Sequence, residues 1–177
     1  MHLLTSTVRS FIAQAYLEYL RNRHPTLQNA ISIIDSAGLE VDFQPSARSL
    51  QGVKTFLAEK GISANFDHVP KKFQYQQFEN FTYILTLNQH EIRDVAWKTK
   101  NPLPFHLGLR LLGSFGNKSG KDTDVREPER ISDREWSVVE KAMVDSGYEK
   151  CFSDIKEHML RFILSAFEFD VMIADYL

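Results

Sequence analysis

Cysteine is nearly missing from this chain: its 177 residues include one, Cys151. A single thiol excludes an intrachain disulfide framework and fits a reducing compartment, so a cytoplasmic location is expected. An excess of either charge is also missing. Twenty-one Lys and Arg against 23 Asp and Glu leave a net charge of −2. That balance lacks the basic signature of a nucleic-acid or membrane-surface protein. No apolar run approaches a membrane span, and Met1-His2-Leu3-Leu4 is too short for a signal-peptide core. The six His show no zinc-type spacing. Gly116-Asn117-Lys118-Ser119-Gly120-Lys121 has the wrong spacing for a nucleotide phosphate loop. Asp122, Asp124, Glu127 and Glu129 read as an acidic loop rather than a metal cluster. No cofactor and no metal are expected.

What remains is an ordinary globular composition, 43% apolar and 25% charged. That is enough for one domain over residues 1–177. Residues 8–24 read as a helix: Phe11, Ile12, Ala15, Leu17 and Leu20 recur at helical spacing, and Pro25 closes the element. Ala30-Ile31-Ser32-Ile33-Ile34 reads as a buried strand. A second helix spans 49–60 and stops at Gly61. Phe81-Thr82-Tyr83-Ile84-Leu85-Thr86-Leu87 is the clearest strand, and Asn88 caps a helix through about Lys98. An apolar run over 107–112 precedes a polar loop over 114–130, and two helical patterns follow at 132–143 and 147–170. Such alternation predicts an α/β fold with a parallel sheet. The first helix has only a few residues before it, where an anion-binding strand-loop-helix unit usually starts.

Several segments, in order, resemble the low-molecular-weight protein tyrosine phosphatase family. Leu4-Thr5-Ser6-Thr7-Val8-Arg9-Ser10 is similar to the end of its C-x5-R-S phosphate loop, and Ile34-Asp35-Ser36-Ala37-Gly38 to its I-D-S-A-G. Leu57 to Ile62 resembles L-x-x-x-G-I, and Phe81 to Asn88 resembles F-D-Y-I-L-x-M-D. Leu111-Leu112-Gly113-Ser114-Phe115 is similar to L-L-G-x-(Y/F), and Asp145-Ser146-Gly147-Tyr148-Glu149 to the lead-in of the final helix. The resemblance implies a three-layer α/β/α fold of the phosphotyrosine protein phosphatase I type. Its first, central strand would here be largely missing. It also implies phosphotyrosine hydrolysis through a cysteinyl-phosphate, with a phosphotyrosine protein or phosphate-like anion as ligand.

That chemistry needs a thiolate nucleophile, an Arg and backbone N–H groups around the phosphoryl oxygens, and a general acid. By the C-x5-R offset Leu3 occupies the nucleophile position, and an aliphatic side chain cannot attack phosphorus. Cys151 lies in the last helical pattern and reads as a buried packing residue. The resemblance assigns phosphate binding to Thr7, Val8, Arg9 and Ser10. Arg9 either clamps a phosphate or is a solvated arginine at a frayed helix start. Thr5 takes the loop's glycine position. Glu127, before Pro128, matches the family's Asp-Pro general acid with one methylene more, or is plain loop surface. Glu129-Arg130 replaces the aromatic pair that follows it. His68 falls at a recurrent family His and reads as structural.

Residues 129–144 read as an insertion, with Trp136, Val138, Val139 and Ala142 on one face of an extra helix. Residues 166–177 read as a C-terminal extension. Either segment is a candidate surface for a protein partner. The expected function is that of a pseudophosphatase with weak phosphate or partner binding. The alternative is an active phosphatase whose first strand and Cys are missing from this sequence. Loss of a central strand predicts a chain that is marginally folded or oligomeric.

Overall fold

The computed structural model describes residues 2–4, 7–39, 47–63, 72–74, 81–98, 108–115, 124–126 and 138–167. Four short strands form a parallel sheet: β1 (His2–Leu4), β2 (Asp35–Ala37), β3 (Ile84–Thr86) and β4 (Leu109–Leu111). Their order is β2-β1-β3-β4, so β1 is central and paired on both sides. The first strand is thus short but in place. Leu3 lies in register with Ser36 on one side and Leu85 on the other.

The helices are α1 (Thr7–Arg23), α2 (Pro25–Ala30), α3 (Ala47–Glu59), α4 (Gln89–Lys98) and α5 (Val138–Ala166). They cover both faces of the sheet, because the pleat sends successive side chains to opposite sides. On one face Leu85 joins a core built from α1, α3 and α5. On the other face Ile84 packs with Ala37, Leu39, Phe73 and Val95 of α4. This is the expected three-layer α/β/α arrangement.

Local chemistry sets the element ends. Pro25 does more than close α1: its fixed φ suits a first helical position, so it also opens α2 behind the extended His24. The strand expected at 30–34 is a correction. Ala30 ends α2, Ile31 is buried but Ile33 stands 59% exposed, and pairing begins only at Asp35. The apolar run satisfies the pattern of a buried strand, yet its residues do not share one environment. Gly61 ends α3 with φ +71°. The N–H groups of Gly61 and Ile62 donate to Ala58 and Leu57 at 2.9 Å each, a Schellman closure. Ahead of β4, Gly108 has φ +62°, and a Cβ there would run into the Thr82 carbonyl oxygen.

Within the described residues, the last two helical patterns join in one helix. α5 runs unbroken through Asp145-Ser146-Gly147, so residues 138–144 are its first turns and not a separate element. Tyr148, Phe152, Ile155, Met159, Phe162 and Ile163 recur at helical spacing and are all buried. That stripe makes up the tertiary packing a helix needs, and one glycine at about 1 kcal/mol does not break it. Phe152 meets Tyr16 edge-on with ring centroids 5.4 Å apart, and Phe162 meets Tyr83 and Phe115 at 5.2 Å. Cys151 is fully buried in this stripe. Phe167, in the segment expected as a C-terminal extension, packs on Tyr83 and Phe162 against the core. Residues 129–137 and 168–177, the rest of the segments expected to meet a partner, lie outside the described residues.

Candidate functional site

The parallel strands all point their carboxyl ends to one edge of the sheet. There β1 leads to α1, and β3 leads through Leu87 and Asn88 to α4. Arg9 stands in the first turn of α1 and Glu91 in the first turn of α4. Arg9 is only 4% exposed. The alternative of a solvated arginine at a frayed helix start is therefore excluded by burial. Its Nη1 donates to the Val125 carbonyl at 3.0 Å, and its Nη2 to Glu91 Oε1 at 3.4 Å.

Glu91 is held more firmly by the residues that lead into its helix. Its Oε2 accepts from the backbone N–H of Leu87 at 2.9 Å and of Asn88 at 3.3 Å. The Asn88 side-chain amide donates to Oε1 at 3.0 Å, while Asn88 Oδ1 accepts from the Glu91 N–H at 2.9 Å. This is a capping box, and the positive end of the α4 dipole adds to it. Asn88 is legible as a cap from sequence, and the Asn88-x-x-Glu91 spacing signals its partner too. Nothing in the sequence signals the reach of Glu91 to Arg9.

Three consecutive residues, Asp124 to Arg126, are fastened across this edge. Asp124 Oδ1 accepts from the Gln89 N–H at 2.9 Å. Val125 donates to the Leu87 carbonyl at 2.8 Å besides accepting from Arg9. Arg126 donates to Asp154 of α5 three times, from its backbone N–H at 3.2 Å, Nε at 2.7 Å and Nη2 at 2.6 Å. Burial alone would push the Asp154 carboxyl up, but the Arg126 hydrogen bonds and charge hold it below its ordinary value. No pattern in the sequence points to this pair, since its members are far apart in the chain.

Of the residues assigned by resemblance, Thr7, Val8, Arg9 and Ser10 all fall in the first turn of α1. Val8 is half-buried and Ser10 is buried. Ser36, in the I-D-S-A-G segment, is buried in β2 and donates its hydroxyl to Gln14 Oε1 of α1 at 2.6 Å. Glu127, Thr5 and His68 lie outside the described residues. No group of three potential ligands among the described residues could hold a metal ion. No helix among them is long and apolar enough to cross a membrane.

A central β1 followed in the chain by α1, whose first turn carries a buried arginine, belongs to an α/β protein with a parallel sheet. Residues 4–166 match the family model described as low molecular weight phosphotyrosine protein phosphatase. The chain belongs to that family. No curated protein matches the chain. Its fold is that of a Drosophila arginine phosphatase, 22% identical, with a TM-score of 0.66 over 93% of this chain and 95% of that one. A protein tyrosine phosphatase of Entamoeba histolytica with Hepes in its active site is 16% identical, with a TM-score of 0.69 over 94% and 95% of the two chains. A low molecular weight protein tyrosine phosphatase of Bacillus subtilis is 16% identical, with a TM-score of 0.59 over 92% and 97%.

Proposed function

We propose that this protein binds a phosphoryl anion at the start of α1 and does not hydrolyse it. One observation carries the reading. β1 is central and is followed in the chain by α1, with Arg9 buried in the first turn of α1 and Leu3 in register between Ser36 and Leu85. This supports a C-x5-R frame whose nucleophile position holds leucine. An aliphatic carbon offers no electron pair to phosphorus, so no cysteinyl-phosphate forms. Glu127 as general acid would have no such intermediate to serve.

Binding needs less than turnover does. The opening N–H groups of an α-helix lack intrahelical acceptors and attract anions, which gives Thr7 and Val8 a backbone role. Arg9 supplies the charge and Ser10 a neighbouring hydroxyl. The ligand class is a phosphoryl group on a protein side chain, phosphotyrosine by the family's description.

The test pairs turnover with binding. p-Nitrophenyl phosphate should not be hydrolysed, while phosphate or phosphotyrosine should raise the melting temperature. Ligand at ten times Kd stabilises by about 1.4 kcal/mol. Arg9→Ala should lose that ligand-dependent rise. Turnover abolished by Arg9→Ala would overturn the inactive reading. Absence of any ligand-induced rise would overturn the binding reading.

A further inference from the structure

The anion reading leaves open what sets affinity at Arg9, and the side chains packed against it bear on this. Nη1 and Nη2 both already donate to protein acceptors, the Val125 carbonyl and Glu91. A bidentate grip on a phosphoryl group takes two of the guanidinium's five N–H groups and so shares the same cation with these acceptors. The Val125 contact is with a neutral carbonyl. The Glu91 contact places a full negative charge 3.4 Å from Nη2, and both side chains are almost completely buried, at 5% and 10% exposure.

Glu91 has little reason to leave when an anion arrives. Its hydrogen bonds to the Leu87 N–H and the Asn88 amide, at 2.9 Å and 3.0 Å, are shorter than its 3.4 Å contact with Arg9. The capping box thus fixes the carboxylate independently of Arg9. An incoming phosphate meets a guanidinium whose charge is already balanced, and a carboxylate that repels it.

We propose that Glu91 is the residue that limits anion affinity at Arg9: a carboxylate built into the α4 cap that competes with the phosphoryl group for the guanidinium. The proposal rests on the anion-binding reading above. It is a statement about charge at one contact, so neutral and shortened replacements should both act in the same direction. Glu91→Gln removes the charge and keeps the side chain's length. Glu91→Asp keeps a carboxylate at the helix start but draws it back by one methylene from a contact that is already long.

The experiment is titration of wild type, Glu91→Gln, Glu91→Asp and Asp94→Asn with inorganic phosphate by calorimetry, at one fixed ionic strength. A guanidinium relieved of a carboxylate at hydrogen-bond range, in a setting where solvent and relaxation damp the full Coulomb effect, should bind phosphate about tenfold tighter in Glu91→Gln. Glu91→Asp should bind a few-fold tighter, and it remains informative if the Gln variant does not fold. Asp94 is exposed one turn along the same helix. Asp94→Asn should therefore leave the affinity within about twofold, surface charges being largely screened. Wild-type binding that Glu91→Gln weakens or leaves unchanged would overturn the role of Glu91 while the anion reading stands. Tightening of equal size in Asp94→Asn would overturn it too, by showing a general field effect. No heat of binding in any of the four chains would sink both.

Discussion

Replacing Arg9 by alanine is the perturbation with the best-defined consequence for the fold itself. The side chain ties the first turn of α1 to the cap of α4 and to the Val125 carbonyl. Removing one partner of a buried ion pair costs about 3–5 kcal/mol, because the other charge is left uncompensated. Here Glu91 keeps its donors from Leu87 and Asn88, and its contact with Arg9 is long at 3.4 Å. The low end of that range therefore applies. The Val125 carbonyl also loses a charged donor, worth about 1 kcal/mol or more. Together about 4 kcal/mol is expected, which for a domain of this size is a drop in melting temperature of ~8–16 °C. Thermal unfolding followed by circular dichroism reads this directly. A double-mutant cycle with Glu91→Gln should give a coupling of about 1 kcal/mol or more. A surface arginine would change stability by about 0.5 kcal/mol or less. A drop of under ~2 °C with no coupling would therefore refute the buried tie.

Two further perturbations test the supports around the site. Asp154→Ala should lower the urea midpoint at neutral pH by an amount equal to about 1 kcal/mol. The figure is kept small because the Arg126 side chain is 59% exposed. The Asp154 carboxyl sits below its ordinary value. Its stabilisation is therefore full above the unfolded pKa of about 4 and fades as pH falls through the lower folded value; a gap between the two chains that persists undiminished at strongly acid pH would contradict this. Gly108 has φ +62°, and an added Cβ would run into the Thr82 carbonyl oxygen. Gly108→Ala should thus cost about 2 kcal/mol or more; a melting temperature equal to wild type would show that the backbone at Gly108 adjusts freely.

The layer order, the parallel sheet and most helix positions were legible because they rest on local signals. Periodicity marks α1 and α3, Asn88 marks the start of α4, and Gly61 marks the end of α3. The misreadings arise where a local signal meets a tertiary one. The β-branched run before Asp35 carries strand propensity, but pairing with β1 selects Asp35 to Ala37 instead. Asp145-Ser146-Gly147 looks like a break, but the buried stripe beyond it carries α5 through. At the site, the C-x5-R offset singles out Leu3 and Arg9, and the fold puts the first in β1 and the second in the opening turn of α1. Glu91 was within reach of sequence reasoning through its capping-box spacing. Asp154 was not, because an ion pair between distant segments leaves no periodic trace.

The burial of Arg9 changes what its presence in the sequence can prove. In a phosphatase the arginine of the phosphate loop is explained by its ligand. Here the same residue also joins α1, α4 and the segment at Val125. Its loss should remove a large part of a typical domain stability of about 5–15 kcal/mol. The fold alone would therefore keep this arginine, whether or not an anion binds. The matching of Arg9 to the family motif and its contacts with Glu91 and Val125 are two independent reasons for one residue, and only the second is seen in the protein itself. Stability measurements on Arg9→Ala report the second reason. The phosphate-dependent shift, compared between wild type and the Glu91 variants, reports the first, because a purely structural arginine gives no ligand response for Glu91 to modulate.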